Sequence, residues 1–308
     1  MNRKRDVLIL AASYMLCAVP LSHAAIPAGT SANTNTGATT GLAPVSLHGK
    51  RLPANQPDLR SNSVLVLDQT HSSVLYSRRA DVAMPIASIT KLMTALVVLS
   101  AQQPLDEPIE ITRDDLHGGK GSHSRLAAGM TLTRGDLIHL ALMASENRAA
   151  HALGRSFPGG LPAFVQAMNA QAMLVGMVHT RFVDPAGLSS ENVASSEDLS
   201  KLVIAASENP TIRQYSTDKA YAVRAGRRMI DFRNTDSLVL NPTWNIIVQK
   251  TGYIAEAGKC LVMQAVIEGR TVVIVLLDSF GKYTRVADAK RIKKWVEATL
   301  SEGLVHNS

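Results

Sequence analysis

Serine, lysine and amide side chains stand at spacings that suit covalent catalysis. Ser88 and Lys91 occupy positions i and i+3 of an apolar segment with a helical pattern, so the lysine amine can reach the serine hydroxyl. A serine beside a base is a candidate nucleophile, because the base can take the hydroxyl proton. Alone the pair is a weak signal, since Ser88 is equally compatible with a simple helix cap.

The order of three motifs is more specific than any one of them. S-x-x-K also occurs at Ser216 and Ser279, and S-x-N occurs four times, whereas Lys250-Thr251-Gly252 is the only K-T-G. Only Ser88 can begin a series in which S-x-x-K is followed by S-x-N and then by K-T-G. The S-x-N of that series is Ser145-Glu146-Asn147, which follows an apolar helical segment. Singly these residues are compatible with turns and strand ends, but in this order they predict one catalytic site.

Other catalytic chemistries lack their motifs. The sequence has no H-E-x-x-H, no C-x-x-C, no phosphate-binding loop and no G-x-S-x-G elbow. His117 and His123 lie in a Gly/Ser-rich loop, which is typical of solvated residues rather than of metal ligands. Cys260 lies in a strand-like run and is predicted to be a small buried hydrophobe rather than a nucleophile. We therefore expect no metal and no cofactor.

The first 24 residues have the composition of a secretory signal peptide. Arg3, Lys4 and Arg5 form a basic start, residues 7–21 form a short apolar run, and small residues precede Ala25. A membrane anchor is the alternative, but the run is short for a bilayer core of about 30 Å. The next segment, 25–58, is rich in small and polar residues and is predicted to be a flexible leader.

The composition limits the class of protein. With 46% hydrophobic and 19% charged residues over 308 positions, the chain is neither a coiled coil, a collagen nor a disordered protein. Loss of the predicted signal lowers the net charge from +7 to +5, because three basic residues and one acidic residue leave with it. The remaining basic residues are scattered, which argues against nucleic-acid recognition. They are compatible with attraction to a polyanionic surface or with solubility alone.

Strand patterns cluster at the two ends of the chain, and helical patterns lie between them. Thr133 with Asp136 predicts a capping box, and further helices are predicted after Pro162 and after Ser195 or Ser196. We expect an α+β fold in which one antiparallel sheet, built from both termini and flanked by terminal helices, carries an all-helical lobe over about 100–215. The site is expected in the cleft between the lobes. The five predicted strands are at 64–67, 74–76, 244–249, 260–267 and 271–277.

Several stretches beyond the motifs resemble one family. S-x-x-K, S-x-N and K-T-G in this order are typical of penicillin-binding proteins and class A β-lactamases. The chain is similar to low-molecular-mass penicillin-binding proteins, most closely to the penicillin-binding protein 7-like D-alanyl-D-alanine endopeptidases of the Gram-negative periplasm. The resemblance predicts a catalytic domain over 59–308 and leaves out the leader. The matching stretches are 85–95 (PIASITKLMTA), 140–150 (LALMASENRAA), 181–188 (RFVDPAGL), 232–235 (FRNT), 244–245 (WN), 250–253 (KTGY) and 280–283 (FGKY).

The resemblance implies a serine peptidase that acts through an acyl-enzyme. Ser88 would attack the carbonyl of the penultimate D-alanine of a peptidoglycan stem, and Lys91 would take its proton. Ser145 would relay a proton to the leaving amine, and Asn147 would hold Lys91 and the substrate amide. An ordinary lysine has a pKa of about 10.4 and is charged at neutral pH. We therefore expect burial and the nearby cation Lys250 to lower the pKa of Lys91.

The third motif is expected to bind the substrate backbone. Lys250, Thr251 and Gly252 would line an edge strand on which the substrate pairs, with Lys250 also polarising the site. The backbone N–H groups of Ser88 and Tyr253 would form the oxyanion hole, in which each donor is typically worth about 3 kcal/mol of transition-state stabilisation. β-Lactams would bind covalently at the same serine.

Alternative functions of other classes remain compatible with the motifs. The second motif carries Glu146 where aspartate is usual, a feature that the endopeptidase branch shares. A class A β-lactamase also needs a deacylating glutamate in an E-x-x-x-N context, and the segment between Asn147 and Lys250 supplies none. We therefore expect β-lactams to act as suicide inhibitors. A non-catalytic wall-binding or β-lactam-sensing module is the third alternative, and the complete set of motifs argues against it.

Endopeptidase and carboxypeptidase differ only in the amine that leaves. The first releases the D-centre of a cross-linking diamino acid, and the second releases free D-alanine. The sequence lacks the C-terminal anchor domain that is common in carboxypeptidase relatives, which favours an endopeptidase of cell-wall remodelling. We expect a periplasmic enzyme without an integral membrane anchor in its mature form. Its expected partners are peptidoglycan peptide stems and β-lactams, with other cell-wall enzymes as a further candidate class and no nucleic acid.

Overall fold

The computed structural model describes residues 56–116, 124–226 and 228–305. The predicted signal peptide and all but the last three positions of the predicted leader lie outside this part of the chain, as do His117 and His123. No helix among the described residues combines the length and the apolar character that a bilayer crossing requires.

One five-stranded antiparallel sheet forms the frame of the molecule. Its strand order is β2-β1-β11-β10-β9, so that strands from both ends of the chain lie side by side, as predicted. The strands in chain order are β1 (Ser61–Asp68), β2 (Ser73–Arg78), β3 (Met84–Pro85), β4 (Pro108–Glu110), β5 (Thr131–Thr133), β6 (Val193–Ala194), β7 (Ala220–Ala225), β8 (Arg228–Arg233), β9 (Asn245–Ile254), β10 (Gly258–Ile267) and β11 (Arg270–Ser279).

Helices lie on both faces of this sheet and in the segment between β2 and β7. Three short 3₁₀ helices occur at Ala87–Ile89, Arg113–Asp115 and Ser237–Leu240. The α-helices in chain order are α1 (Thr90–Ser100), α2 (Arg134–Met143), α3 (Asn147–Arg155), α4 (Gly160–Leu174), α5 (Ser196–Glu208), α6 (Pro210–Thr217) and α7 (Thr284–Val305).

The central strands are hydrophobic on both faces because each face is covered. Successive side chains of a strand point to opposite faces. On β11, Val272, Ile274 and Leu276 pack on the side of α7, while the alternate residues Val273 and Val275 pack on the helical lobe. Helix α7 is one of the predicted terminal helices that flank the sheet, and it covers one face with Ala289, Ile292 and Val296. The other face packs against Leu199, Leu202 and Val203 of α5.

The helices α2, α4 and α5 lie where the sequence predicts helices, whereas α3 and α6 were not predicted. Thr133 and Asp136 form the predicted capping box of α2, and Ser195 caps α5 through a bond from the Asp198 N–H. Asn209 caps α6 with Pro210 in its first turn. Gly176, which has a φ of +77°, follows the end of α4. These local signals fix helix boundaries because they satisfy backbone groups that the helix itself leaves free.

The structure differs from the sequence prediction at several points, among them the short strands β4, β5 and β6 within the segment 100–215 that was predicted to be all-helical. Ser88 lies in the 3₁₀ turn Ala87–Ile89 that precedes α1, rather than in the α-helix itself. The strand predicted over 244–249 continues to Ile254 as β9, because the hairpin that joins it to β10 lies beyond that residue. The hairpin of β7 and β8 was not predicted, and its exposed, arginine-containing strands carry little apolar alternation.

Candidate active site

The 3₁₀ turn Ala87–Ile89, which we call the nucleophile turn, brings the serine and the lysine of the first motif within hydrogen-bond distance of each other. In a 3₁₀ helix the side chains at i and i+3 lie directly above one another. Ser88 lies in this 3₁₀ turn, and its Oγ lies 2.8 Å from the Nζ of Lys91. Lys91 is fully buried at the start of α1. The spacing predicted this contact.

The three oxygen neighbours of Lys91 accommodate both the ammonium and the neutral amine. Its Nζ lies 2.7 Å from the Oδ1 of Asn147 and 2.6 Å from the carbonyl oxygen of Ala186, both of which can only accept. A neutral amine has two N–H donors and one lone pair. Two N–H groups can therefore bond to Asn147 and Ala186, and the lone pair remains for the hydroxyl of Ser88. This is the arrangement that a general base needs.

Burial sets the protonation of this lysine. Loss of water lowers the pKa of Lys91 to about 7, while the negative charges of Asp184 and Glu146 act in the opposite direction. The sequence predicted that burial and Lys250 would act together on Lys91. Only the burial part of this prediction holds for Lys91. Full burial, followed by repulsion from Lys91 and Arg285, holds the pKa of Lys250 well below its usual value.

One carboxylate holds the loop that faces Lys91. The Oδ2 of Asp184 accepts from the Ser189 N–H at 2.9 Å and from the Asn192 side-chain amide at 2.7 Å. Its Oδ1 accepts three further backbone N–H bonds, which fix the position of the Ala186 carbonyl. Those donors are Ala186 at 2.7 Å, Gly187 at 2.6 Å and Leu188 at 3.3 Å. The sequence showed this segment only as a family match, with no indication that Asp184 organises it.

The same loop packs so closely against the nucleophile turn that Gly187 has no room for a side chain. A Cβ on Gly187 would lie 1.9 Å from the carbonyl oxygen of Ala87, and Gly187 itself has a φ of +73°. Ala87, the residue before Ser88, has a φ of +49°, which is unfavourable for any residue but glycine. The Oγ1 of Thr90 donates to the carbonyl of Ala87 at 2.8 Å and helps to hold it there. Strained backbone of this kind is common at catalytic sites.

The second motif faces the first across the cleft. Ser145 also has a left-handed backbone, with a φ of +58°, and it lies at the turn between α2 and α3. Its Oγ is 2.9 Å from the Nζ of Lys250, while Asn147 contacts Lys91 as described. Glu146 points away from this contact and accepts from the Ser124 hydroxyl and the Arg125 N–H. Ser145 and Asn147 therefore lie between the two buried lysines.

The third motif lies on β9 at the edge of the sheet. The Nζ of Lys250 also donates to the Thr251 carbonyl at 2.9 Å, and the Thr251 hydroxyl bonds to that of Thr235 at 2.6 Å. A Cβ on Gly252 would lie 2.8 Å from the Ile86 carbonyl oxygen, so only glycine allows β9 to approach the nucleophile turn this closely. This approach brings the Tyr253 backbone beside that turn. The eight residues predicted for the site are thus brought together by the fold.

A cleft of about 800 Å³ opens over these residues. This volume suits a ligand the size of a short peptide. The sequence missed five of its polar lining residues, although two of them fall in the matched stretch at 232–235. The missed residues are Arg125, Arg233, Thr235, Glu256 and Arg285. Arg285 also braces the strands, because its guanidinium donates to the Gly252 carbonyl at 2.8 Å.

Cys260 lies behind this site rather than in it. It is fully buried on β10, and burial raises the pKa of its thiol to about 11. A thiol of this kind is not a nucleophile at neutral pH. The prediction of a buried hydrophobe is confirmed.

Comparison with known proteins defines the class. The family model described as D-alanyl-D-alanine carboxypeptidase, peptidase S11, matches residues 50–281. The chain therefore belongs to this family of serine peptidases and has its α+β fold. The Streptomyces K15 DD-transpeptidase crystal structure superposes with a TM-score of 0.74 at 27% identity, over 78% of this chain and 98% of that one.

Two relatives are closer in sequence. A D-alanyl-D-alanine endopeptidase of Pseudomonas aeruginosa is 49% identical over 244 residues, which is 79% of each chain. A protein of the same name from Escherichia coli is 46% identical over 246 residues, again 79% of each chain. The family resemblance inferred from the motifs is thereby confirmed.

Proposed function

We propose that the protein is a DD-endopeptidase that cleaves D-alanyl-diamino acid cross-links of peptidoglycan. One observation carries the proposal: Lys91 is buried, has a pKa of about 7, and lies 2.8 Å from the Ser88 hydroxyl, so its neutral form can take the hydroxyl proton. A serine beside a neutral amine can attack an acyl group at neutral pH. The names of the relatives at 46–49% identity supply the class of bond.

Acylation follows from the contacts of the two lysines. Ser88 Oγ forms a bond to the D-alanyl carbonyl carbon, and its proton moves to Lys91. The carbonyl oxygen becomes negative and is stabilised by the N–H groups of Ser88 and Tyr253. The bond from carbon to the leaving nitrogen then breaks, and the proton held by Lys91 passes to that nitrogen through Ser145, which contacts Lys250 at 2.9 Å, so that Lys91 is neutral again. A water molecule then attacks the ester carbonyl, Lys91 takes its proton and returns it to the Ser88 Oγ, and the acid product leaves.

The substrate stem adds to the free edge of β9. This strand ends the sheet, so its outer N–H and C=O groups can pair with an extended peptide. Thr251 and Gly252 face the bound backbone, and Asn147 can bond to its amide. The leaving amine of a cross-link belongs to a residue with its own carboxylate. Arg125 and Arg233 on the cleft wall have the charge and exposure to receive such a group.

Penicillin and related β-lactams are expected to acylate Ser88 and to leave slowly. Rapid hydrolysis needs an acid that activates water beside the ester. Among the described residues that line the cleft, the acids are Glu146, which is bonded to Ser124 and Arg125, and Glu256, which is exposed in the hairpin after β9. Negligible nitrocefin turnover with stoichiometric labelling of Ser88 is the expected result, and it would set the protein apart from a β-lactamase.

A D-alanyl-D-alanine carboxypeptidase is the second candidate, because the matched family model carries that description. Mass spectrometry can separate the two activities on a mixture of pentapeptide stems and cross-linked stem dimers. We expect dimers to disappear without release of free D-alanine. Penicillin-treated protein and Ser88→Ala serve as controls. Trimming of pentapeptides with intact dimers would instead make the protein a carboxypeptidase.

We also propose export to the periplasm by the segment 1–24, followed by a leader over 25–58 and a catalytic domain over 59–308. The basic start and short apolar run of the segment support cleavage before Ala25. N-terminal sequencing of the protein from a periplasmic fraction tests this. An amino terminus at Ala25 is expected, and an intact Met1 in the membrane fraction would contradict it.

A further inference from the structure

A group of exposed aromatic and basic side chains lies beside the cleft. We call Tyr253, Lys259, Phe280, Lys282 and Tyr283 the aromatic-basic patch. Phe280 is 92% exposed, Tyr283 68% and Tyr253 59%, and these are the exposed aromatic residues in the described part of the chain. These rings have no role in the mechanism described above. Exposed apolar surface next to a cleft commonly marks a binding site for a ligand or a partner.

The fold brings these residues to one end of the sheet. Tyr253 pairs with Lys259 on the next strand, and Lys259 pairs with Ser279, which precedes Phe280. The Nζ of Lys259 lies 3.9 Å from the centre of the Tyr253 ring, and that of Lys282 lies 5.2 Å from the Tyr283 ring. A cation over an aromatic ring attracts it, so each lysine and its tyrosine ring hold each other in place. The patch therefore spans neighbouring ends of β9 and β10 and the loop that joins β11 to α7.

The patch carries positively charged side chains that lie close to one another. Burial lowers the pKa of Lys259, and repulsion from Arg285 and Lys282 lowers it further, so these cations lie within electrostatic reach of each other. The nearby acid Asp278 accepts from the Asn62 side chain at 2.7 Å. A ligand with anionic or strongly polar groups would complement this surface.

The patch continues the cleft in the direction of the stem's amino terminus. Tyr253 belongs to the patch and lines the cleft. A stem that pairs antiparallel with β9 has its amino-terminal side at Ile254, where β9 turns into β10. That is the end of the sheet at which the patch lies. In peptidoglycan the amino terminus of a stem is attached to a glycan strand.

We propose that the aromatic-basic patch binds the amino-sugar glycan strand that carries the donor stem. This inference rests on the proposed function, because that function places a stem on β9. Pyranose rings stack their C–H faces on exposed aromatic rings such as Phe280 and Tyr283. Lys259 and Lys282 can donate to N-acetyl carbonyls and to stem carboxylates. The site would select cross-links in glycan-attached peptidoglycan over free peptides.

The first test uses Phe280→Ser combined with Tyr283→Ser. Met173→Ser with Leu174→Ser is the matched control, because those residues of α4 are 66% and 81% exposed outside the patch. We expect the patch variant to lower kcat/KM about tenfold on cross-linked, glycan-attached stems. Its rates on peptide-only dimers and with fluorescent penicillin should stay unchanged. Equal loss on both substrates, or no loss, would overturn the inference.

The second test measures glycan binding without catalysis. A labelled, peptide-free glycan oligosaccharide is titrated by fluorescence anisotropy into Ser88→Ala protein with and without the patch substitutions. Binding that the patch substitutions abolish and the control substitutions retain supports the inference. Absent binding, equal binding by both, or patch-dependent binding only to phosphatidylglycerol vesicles would refute it. The proposed function fails separately, when the unsubstituted protein leaves peptide-only dimers intact.

Discussion

Asp184→Asn tests whether one carboxylate organises the base. The substitution keeps the shape of the side chain but turns one acceptor oxygen into a donor. Both oxygens of Asp184 face only N–H groups, three on Oδ1 and two on Oδ2. Whichever way the amide turns, at least two hydrogen bonds are lost. With about 1.5 kcal/mol for each bond to a charged group, the protein should lose about 3 kcal/mol of stability.

Activity should fall together with stability. The loop positions the Ala186 carbonyl at 2.6 Å from Lys91, and a displacement near 1 Å can cost about 100-fold in rate. The negative charge of Asp184 also raises the pKa of Lys91, which burial lowers. Its removal should lower that pKa further. The residual acylation rate of the variant should therefore rise with pH at a lower midpoint than in the unsubstituted protein.

Thermal unfolding and the rate of labelling by a fluorescent penicillin measure the two effects. A loss of about 3 kcal/mol corresponds to a decrease in Tm of about 6–12 °C. Glu191→Gln is the matched control, because Glu191 lies on the same loop with its side chain 64% exposed. The control should leave Tm and rate unchanged. If Asp184→Asn also leaves both unchanged, the loop is not held by this carboxylate and the reasoning is wrong.

Further substitutions and labels test other contacts. Gly187→Ala should reduce the rate of acylation more than 100-fold, because its Cβ would lie 1.9 Å from a carbonyl oxygen of the nucleophile turn. Gly269→Ala is the control and should keep the full rate, because Gly269 also has a positive φ, of +75°, but no atom lies within 4 Å of its Cβ. Thr235→Val removes the 2.6 Å bond to Thr251 and should raise KM for stem dimers more than it lowers penicillin labelling; an unchanged KM would exclude this role. Native Cys260, with a thiol pKa of about 11, should resist iodoacetamide at pH 7.5 and react only in denaturant, as peptide mapping would show.

Local patterns predicted those parts of the fold whose causes are local. The capping box of Thr133 and Asp136 and the cap at Ser195 are short-range hydrogen bonds, so the sequence displays them directly. The strands β10 and β11 are apolar on both faces and therefore conspicuous. The β7 and β8 hairpin was missed because its side chains are largely exposed and give little hydrophobic alternation.

Long-range contacts account for what the sequence could not supply. The order of S-x-x-K, S-x-N and K-T-G predicted which residues meet, but not how the lysine becomes a base. Lys91 depends on Ala186, 95 positions away in the chain, and on burial by surrounding elements. Arg285 reaches the Gly252 carbonyl from α7. Such residues belong to no sequence motif, because their role depends on tertiary packing and not on their spacing along the chain.

The pH dependence of acylation at Ser88 tests the central claim most directly. The measurement is the rate of labelling by a fluorescent penicillin between pH 5.5 and 8.5, with peptide mapping of the adduct. Only the neutral form of Lys91 can take the proton, and its pKa is about 7. The rate should therefore rise about tenfold from pH 6 to pH 8, with the label on Ser88. A rate that is flat or falls over this range, or a label on another residue, would contradict the account.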